Sequence, residues 1–225
     1  MTNTPSQPQA QPDTKTHRTQ QTIIQAALMV FAQLGYHKAS TTAIAKQAGM
    51  AKATLFYHYP TKKELYVACV SHGAEQMIAE LFDNPQIMGI PDIFDKILAF
   101  ARAKTYFLKR NPEISALILE AFLLSKEPEF DDIAQLMANG RLEVWPYWRQ
   151  NIDTSLFRPD TDPDTLMNYV YLIMQTLSEQ IASTYSSPQD LTDQELERSI
   201  TAMEQYINLI KYGVYQQPTS EAQPQ

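Results

Sequence analysis

Between Thr14 and Lys63 the 225-residue chain has no aspartate or glutamate. Cysteine is almost as scarce. Cys69 stands alone, which excludes an internal disulfide and gives no sign of a secreted, disulfide-stapled framework, so the cytoplasm is the expected compartment. Glycine occurs only six times and no run of alternating β-branched residues is present, which argues against a turn-rich β architecture. No window of about twenty apolar residues is available to span a bilayer. The opening MTNTPSQPQAQPDTKT has neither the charged start nor the apolar middle of a signal peptide. His17, His37 and His72 show no metal-ligand spacing with carboxylates or with Cys69, and neither a Ser/His/Asp grouping nor a Gly-rich phosphate loop occurs. A membrane protein, a metal sensor and the common enzyme classes are set aside; no enzyme is expected and no cofactor is implied.

What is present points to a folded, electrically divided chain. The hydrophobic fraction is 44%, with 12 Tyr, 9 Phe and 2 Trp, enough to build a core. The acid-free stretch collects Lys15, Arg18, Lys38, Lys46, Lys52, Lys62 and Lys63. Those are seven of the 18 basic residues, so the remainder holds eleven against 25 acids, in a chain of net charge -7. A basic N-terminal module on an acidic body suits one end that approaches a polyanion and another that need not.

Hydrophobic spacing predicts an all-α fold of nine helices. The first runs from about Lys15 to Leu34 with Ile23, Ile24, Ala27, Leu28, Phe31 and Leu34 on one face, and Gly35 stops it. Ser40 caps a short helix closed by Gly49, which supplies the positive φ of a tight turn. A second short helix, about Lys52 to His58, is ended by Pro60, and Thr61 caps a longer one through about Phe82. Asp92 and Asn111-Pro112 open two more, and a segment from about Pro128 to Asn151 contains Pro146, which demands a kink or break. The last two helices run from about Asp162 and Thr192, the final one carrying Leu196, Ile200, Met203, Ile207, Ile210 and Val214 at alternating spacings of four and three. Two short helices around a glycine turn, inside the acid-free stretch, match a helix-turn-helix whose second short helix enters the major groove.

The run GYHKASTTAIAKQAGMAKATLFYHYPTKKELY, Gly35 to Tyr66, resembles the DNA-binding domain of the TetR family of bacterial transcriptional regulators. The matches are Gly35-Tyr36, Ser40, Ile44-Ala45, Ala48-Gly49, Lys52, Thr54-Leu55, Tyr57-His58, Pro60, Lys62 and Glu64-Leu65. The resemblance implies that Thr42, Lys52, Ala53 and Phe56 face bases, and that Thr54, Tyr57, His58 and Lys62 meet phosphates. Ser40 and Thr41 stand at a helix N-terminus suited to a phosphate. Lys52 suits guanine O6 and N7, while Ala53 and Phe56 offer only apolar contact, for example to a thymine methyl. Ala51 stands where the family often has a serine cap, Phe56 where Tyr is usual and Tyr59 where Phe is usual.

The expected domains are a disordered tail over 1–14, the helix-turn-helix over 15–60, a ligand-binding and dimerisation domain over 61–215 and a second disordered tail over 216–225. Phe107, Phe122, Trp145, Trp148, Tyr169 and Met174 either line a ligand pocket or fill the core, and Glu120 either meets a cationic ligand or is paired with an Arg or faces solvent. Surface charge on the body favours a cationic or neutral, hydrophobic effector. The resulting expectation is a cytoplasmic repressor, homodimeric through its last two helices. It is released from a palindromic double-stranded DNA operator when a small molecule acts through the helix from Thr61 to Phe82. The alternative is a helical protein-interaction module that uses its basic head on an acidic partner.

Overall fold

In a computed structural model, residues 14–184 and 192–214 are described; both expected disordered tails lie outside this range, apart from Thr14. Among the described residues there are ten α-helices, two short 3-10 turns and no strand. The nine expected helices are present, and one was not foreseen, the single turn α5.

The chain divides into two compact units between Cys69 and Val70. The first, the head, holds α1 (Thr14–Lys38), α2 (Thr41–Gln47), α3 (Lys52–His58) and the start of α4 (Lys62–Phe82). Gly35 interrupts α1 with φ 72° and ψ 166°, so the helical run that buries Ile23, Ala27 and Phe31 ends where the sequence indicated. Gly49 has φ 66°, and a β-carbon there would meet no atom within 4 Å, so the conformation of the turn, not crowding, calls for glycine. The core joins the buried face of α1 to Ile44 and Ala45 of α2, Leu55 of α3, and Leu65, Tyr66 and Cys69 of α4. Phe31 and Tyr66 meet edge-on with ring centroids 4.9 Å apart, and Tyr36 meets Tyr66 the same way at 5.0 Å. These contacts draw about two turns of α4 into the head, past the expected boundary at residue 60. Cys69 is fully buried and its thiol approaches the Ile24 carbonyl at 3.9 Å; burial pushes its pKa up, so it packs as a small hydrophobe.

The second unit, the body, holds the rest of α4, α5 (Pro85–Met88), α6 (Ile93–Arg110), α7 (Pro112–Leu124), α8 (Asp131–Trp148), α9 (Pro163–Ser183) and α10 (Asp193–Val214). Asp92 caps α6 by accepting from the Phe94 and Asp95 amides at 2.9 and 3.1 Å. Pro146 is accommodated inside α8, which ends within its next turn. The core of this unit brings Ile93, Phe94 and Ile97 of α6 against Leu166, Met167 and Val170 of α9 and Met203 and Ile207 of α10. Lys96 is buried beside them and donates to the Gln150 carbonyl, just past the end of α8, at 2.5 Å. A lysine there closes a helix end whose carbonyls lack partners.

Candidate nucleic-acid interface

Two caps and one turn set the short helices. The Ala43 amide donates to Ser40 Oγ at 3.1 Å, so Ser40 caps α2. At α4, Thr61 and Glu64 form a reciprocal pair: the Glu64 amide donates to Thr61 Oγ1 at 3.0 Å and the Thr61 hydroxyl to Glu64 Oε1 at 3.1 Å. The α3 N-cap is Ala51, with extended backbone and no side-chain bond. Ala51→Ser therefore adds a missing cap and is expected to stabilise the chain by about 1 kcal/mol, a rise of a few degrees in Tm by thermal denaturation.

Leu55 anchors α3 from beneath, which turns the opposite face outward. Lys52, Ala53, Phe56 and Tyr57 are exposed on it, Tyr57 at 82%. So large an apolar surface turned to water is a feature of a binding face. Lys52 Nζ lies 5.5 Å from the Phe56 ring centroid, one turn along the helix, and the Tyr57 and His58 rings meet edge-on at 5.1 Å. Thr42 and Ser40 are exposed, while Thr41, Thr54 and His58 are half-buried. Arg18, Lys38 and Lys46 are exposed as well, and the described part of the acid-free stretch contributes no carboxylate to this surface. The geometry suits a positive, partly aromatic ridge that enters a groove of a polyanion.

Lys62 behaves differently from its neighbours. Its ammonium donates to the carbonyls of Tyr36 at 2.8 Å, Ala39 at 3.3 Å and His37 at 3.4 Å, and lies 4.3 Å from the Tyr36 ring centroid. The group expected to reach phosphate thus spends its donors inside the protein, tying the turn between α1 and α2 to the start of α4. No spacing rule reveals this, because the three carbonyls lie more than twenty residues away in sequence. Lys62→Met should cost about 2 kcal/mol of stability, read by denaturation, as expected for charge-assisted bonds to carbonyls. The slope of log affinity against log salt should stay as it was, whereas loss of a phosphate contact would lower it by about one.

The residues expected around an effector are scattered. Phe107 is buried at 3% exposure, Glu120 and Phe122 are half-buried, and Lys126 Nζ lies 4.5 Å from the Phe122 centroid. Tyr169 is 60% exposed, on the outside of α9, so within one chain it lines no enclosed pocket. The side chains of Trp145 and Met174 lie outside the described residues. Trp148 alone of the seven sits in a described aromatic cluster, with Phe100 at 4.5 Å and Phe82 at 5.9 Å. An open cleft of about 440 Å³ between α6 and α10 is lined by none of them; its walls include Arg102, Thr105, Tyr106, Lys109, Glu197 and Glu204. Ion pairs Arg102–Glu204 and Lys109–Glu197 occupy it. No group of three or more His, Cys, Asp or Glu suited to a metal occurs among the described residues. No helix among them is long and apolar enough to cross a membrane.

Residues 23–69 match the sequence model of the bacterial regulatory proteins of the tetR family, a span that takes in α2, α3 and the buried face of α1. The head is thus a TetR-type DNA-binding domain. Across the head it is 37% identical over 59 residues to the HTH-type transcriptional regulator RutR of Escherichia coli K12, covering 26% of this chain and 28% of RutR. A longer match, 26% identical over 143 residues, is to the nucleoid occlusion factor SlmA of Haemophilus influenzae and covers 61% of this chain. That match spans 62% of the length of SlmA. The crystal structure of a TetR-family transcriptional regulator from Mesorhizobium loti superposes with a TM-score of 0.64 at 19% identity, covering 88% of this chain and 98% of that one. At that identity the likeness concerns the fold, a TetR-like head followed by a helical body.

Proposed function

We propose that this chain is a DNA-binding transcriptional regulator of the TetR family, most simply a repressor, which acts as a homodimer on a palindromic operator and lets go when a small molecule binds its body. The observation that carries this is the exposed face of α3, where Lys52, Phe56 and Tyr57 stand out from a head whose described part has no acid before Glu64. Lys52 and Phe56 read base edges, while Tyr57 and the α2 N-terminus at Ser40 and Thr41 hold phosphates. Thr42, Ala53, Thr54 and His58 complete the contact surface.

Homodimerisation is supported by the outer faces of α9 and α10. Tyr169 and Leu172 on α9, with Tyr206, Leu209 and Tyr212 on α10, are all more than half exposed, Leu209 at 77%. Two amphipathic helices that bury one apolar face in the core and leave another in water fit a four-helix interface with their symmetry copies. A two-fold dimer presents two copies of α3 to half-sites about one helical turn apart.

The test is fluorescence anisotropy with DNA flanking the chain's own gene, titrated at about 50 and 200 mM salt against unrelated competitor. Selective binding that weakens steeply with salt is expected. Binding no tighter than to the competitor would favour the alternative, a module whose basic head meets an acidic protein.

A further inference from the structure

The inner face of α6 carries Ile93, Ile97, Phe100, Lys104 and Phe107 at spacings of four, three, four and three, which place them in one stripe along the helix. Ile93, Ile97 and Phe107 are buried. Phe100 belongs to the aromatic cluster, where Phe82 also meets it at 5.0 Å and meets Tyr147 at 5.3 Å. A lysine thus holds a core position of the stripe, one turn beyond Phe100. Among the described residues no carboxylate, carbonyl or ring is paired with its ammonium, and burial pulls its pKa below the ordinary lysine value. The residue as a whole is half-buried, with its amine at the enclosed end. On the outward face of the same helix the cations are served: Arg102 pairs with Glu204 and Lys109 with Glu197. Lys96, the other lysine on the inner side, has the Gln150 carbonyl. An interior ammonium without a partner costs stability in the empty protein, and an incoming anion recovers that cost.

We propose that Lys104 is the anion-binding residue of the effector site, pairing with the carboxylate of an apolar organic acid whose hydrocarbon part lies against Phe100, Phe82 and Trp148. This rests on the effector-controlled reading above, and it reverses the charge that the acidic surface suggested, because the interior charge decides what enters. The stripe is visible in the sequence once Lys104 is counted as an inward position.

Thermal denaturation of the full chain tests it, with decanoate against decan-1-ol and 2-naphthoate against 2-naphthol, each pair sharing one apolar body. At least one carboxylate should raise Tm by about 5 °C or more beyond its alcohol at saturation. In Lys104→Met that excess should vanish while the ligand-free protein melts no lower than the parent; Lys104→Arg should retain part of it. Carboxylates that never exceed their alcohols in the parent overturn the proposal. So does an excess that survives in Lys104→Met, or a ligand-free Lys104→Met that melts lower. Operator anisotropy with and without the stabilising acid separates the two levels. A Lys104-dependent shift that leaves operator affinity unchanged sinks effector release and keeps the site. Selective operator binding without any Lys104-dependent shift sinks the site alone.

Discussion

Leu209→Glu on α10, or Leu172→Asp on α9, should convert the protein into a folded monomer of 25.6 kDa by light scattering and weaken operator binding by about a hundredfold or more. Both leucines face water in the single chain, so neither change opens a cavity in its core, and circular dichroism should remain helical. In the dimer each leucine is expected to bury about 1.5–3 kcal/mol of apolar surface, and a carboxylate put there forfeits that and adds a desolvation cost. Because the symmetry axis repeats the change in the partner, the loss counts twice. The operator then meets one head at a time, and the advantage of a second half-site held nearby disappears. A variant that stays dimeric by light scattering would show that these faces are not the interface.

Lys52→Ala should relax selectivity at one base pair in each half-site, with a loss of about 1–3 kcal/mol for the preferred base and little change for the others. Lys52 sits at the start of α3, exposed, and its ammonium lies over the Phe56 ring, an arrangement that limits its wandering. Anisotropy with a panel of operators substituted one position at a time is the measurement. A uniform drop across the panel would make Lys52 a phosphate contact instead. Tyr57→Phe should by contrast lower affinity similarly for every sequence, since a hydroxyl lost from a phosphate carries no base information.

Local chemistry made much of the fold legible. Gly49 and Gly35 marked turns because only a residue without a β-carbon takes a positive φ cheaply, and Ser40, Thr61 and Asp92 marked helix starts because their oxygens reach the first free amides. Such signals act within four residues and are readable one segment at a time. The one-turn α5 was not, being shorter than the period needed to see it. The carbonyl bonds of Lys62 were not legible because its partners come from a distant turn, which spacing along the chain does not encode. Tyr169 illustrates a different limit: the stripe of α9 is apolar on more than one side, and only burial separates Val170, inside, from Tyr169, outside. The exposed residues of α3 were legible through the motif, while the residues expected around an effector had no motif, and aromatic content does not distinguish core from pocket.

Hydroxyl-radical footprinting of the DNA flanking the chain's own gene puts the central claim to its most direct test. The account predicts two symmetric protected patches on one face of the duplex, centred about one helical turn apart, both lost in Leu209→Glu. A single unsymmetric patch, or protection no different from that on unrelated DNA, would contradict it.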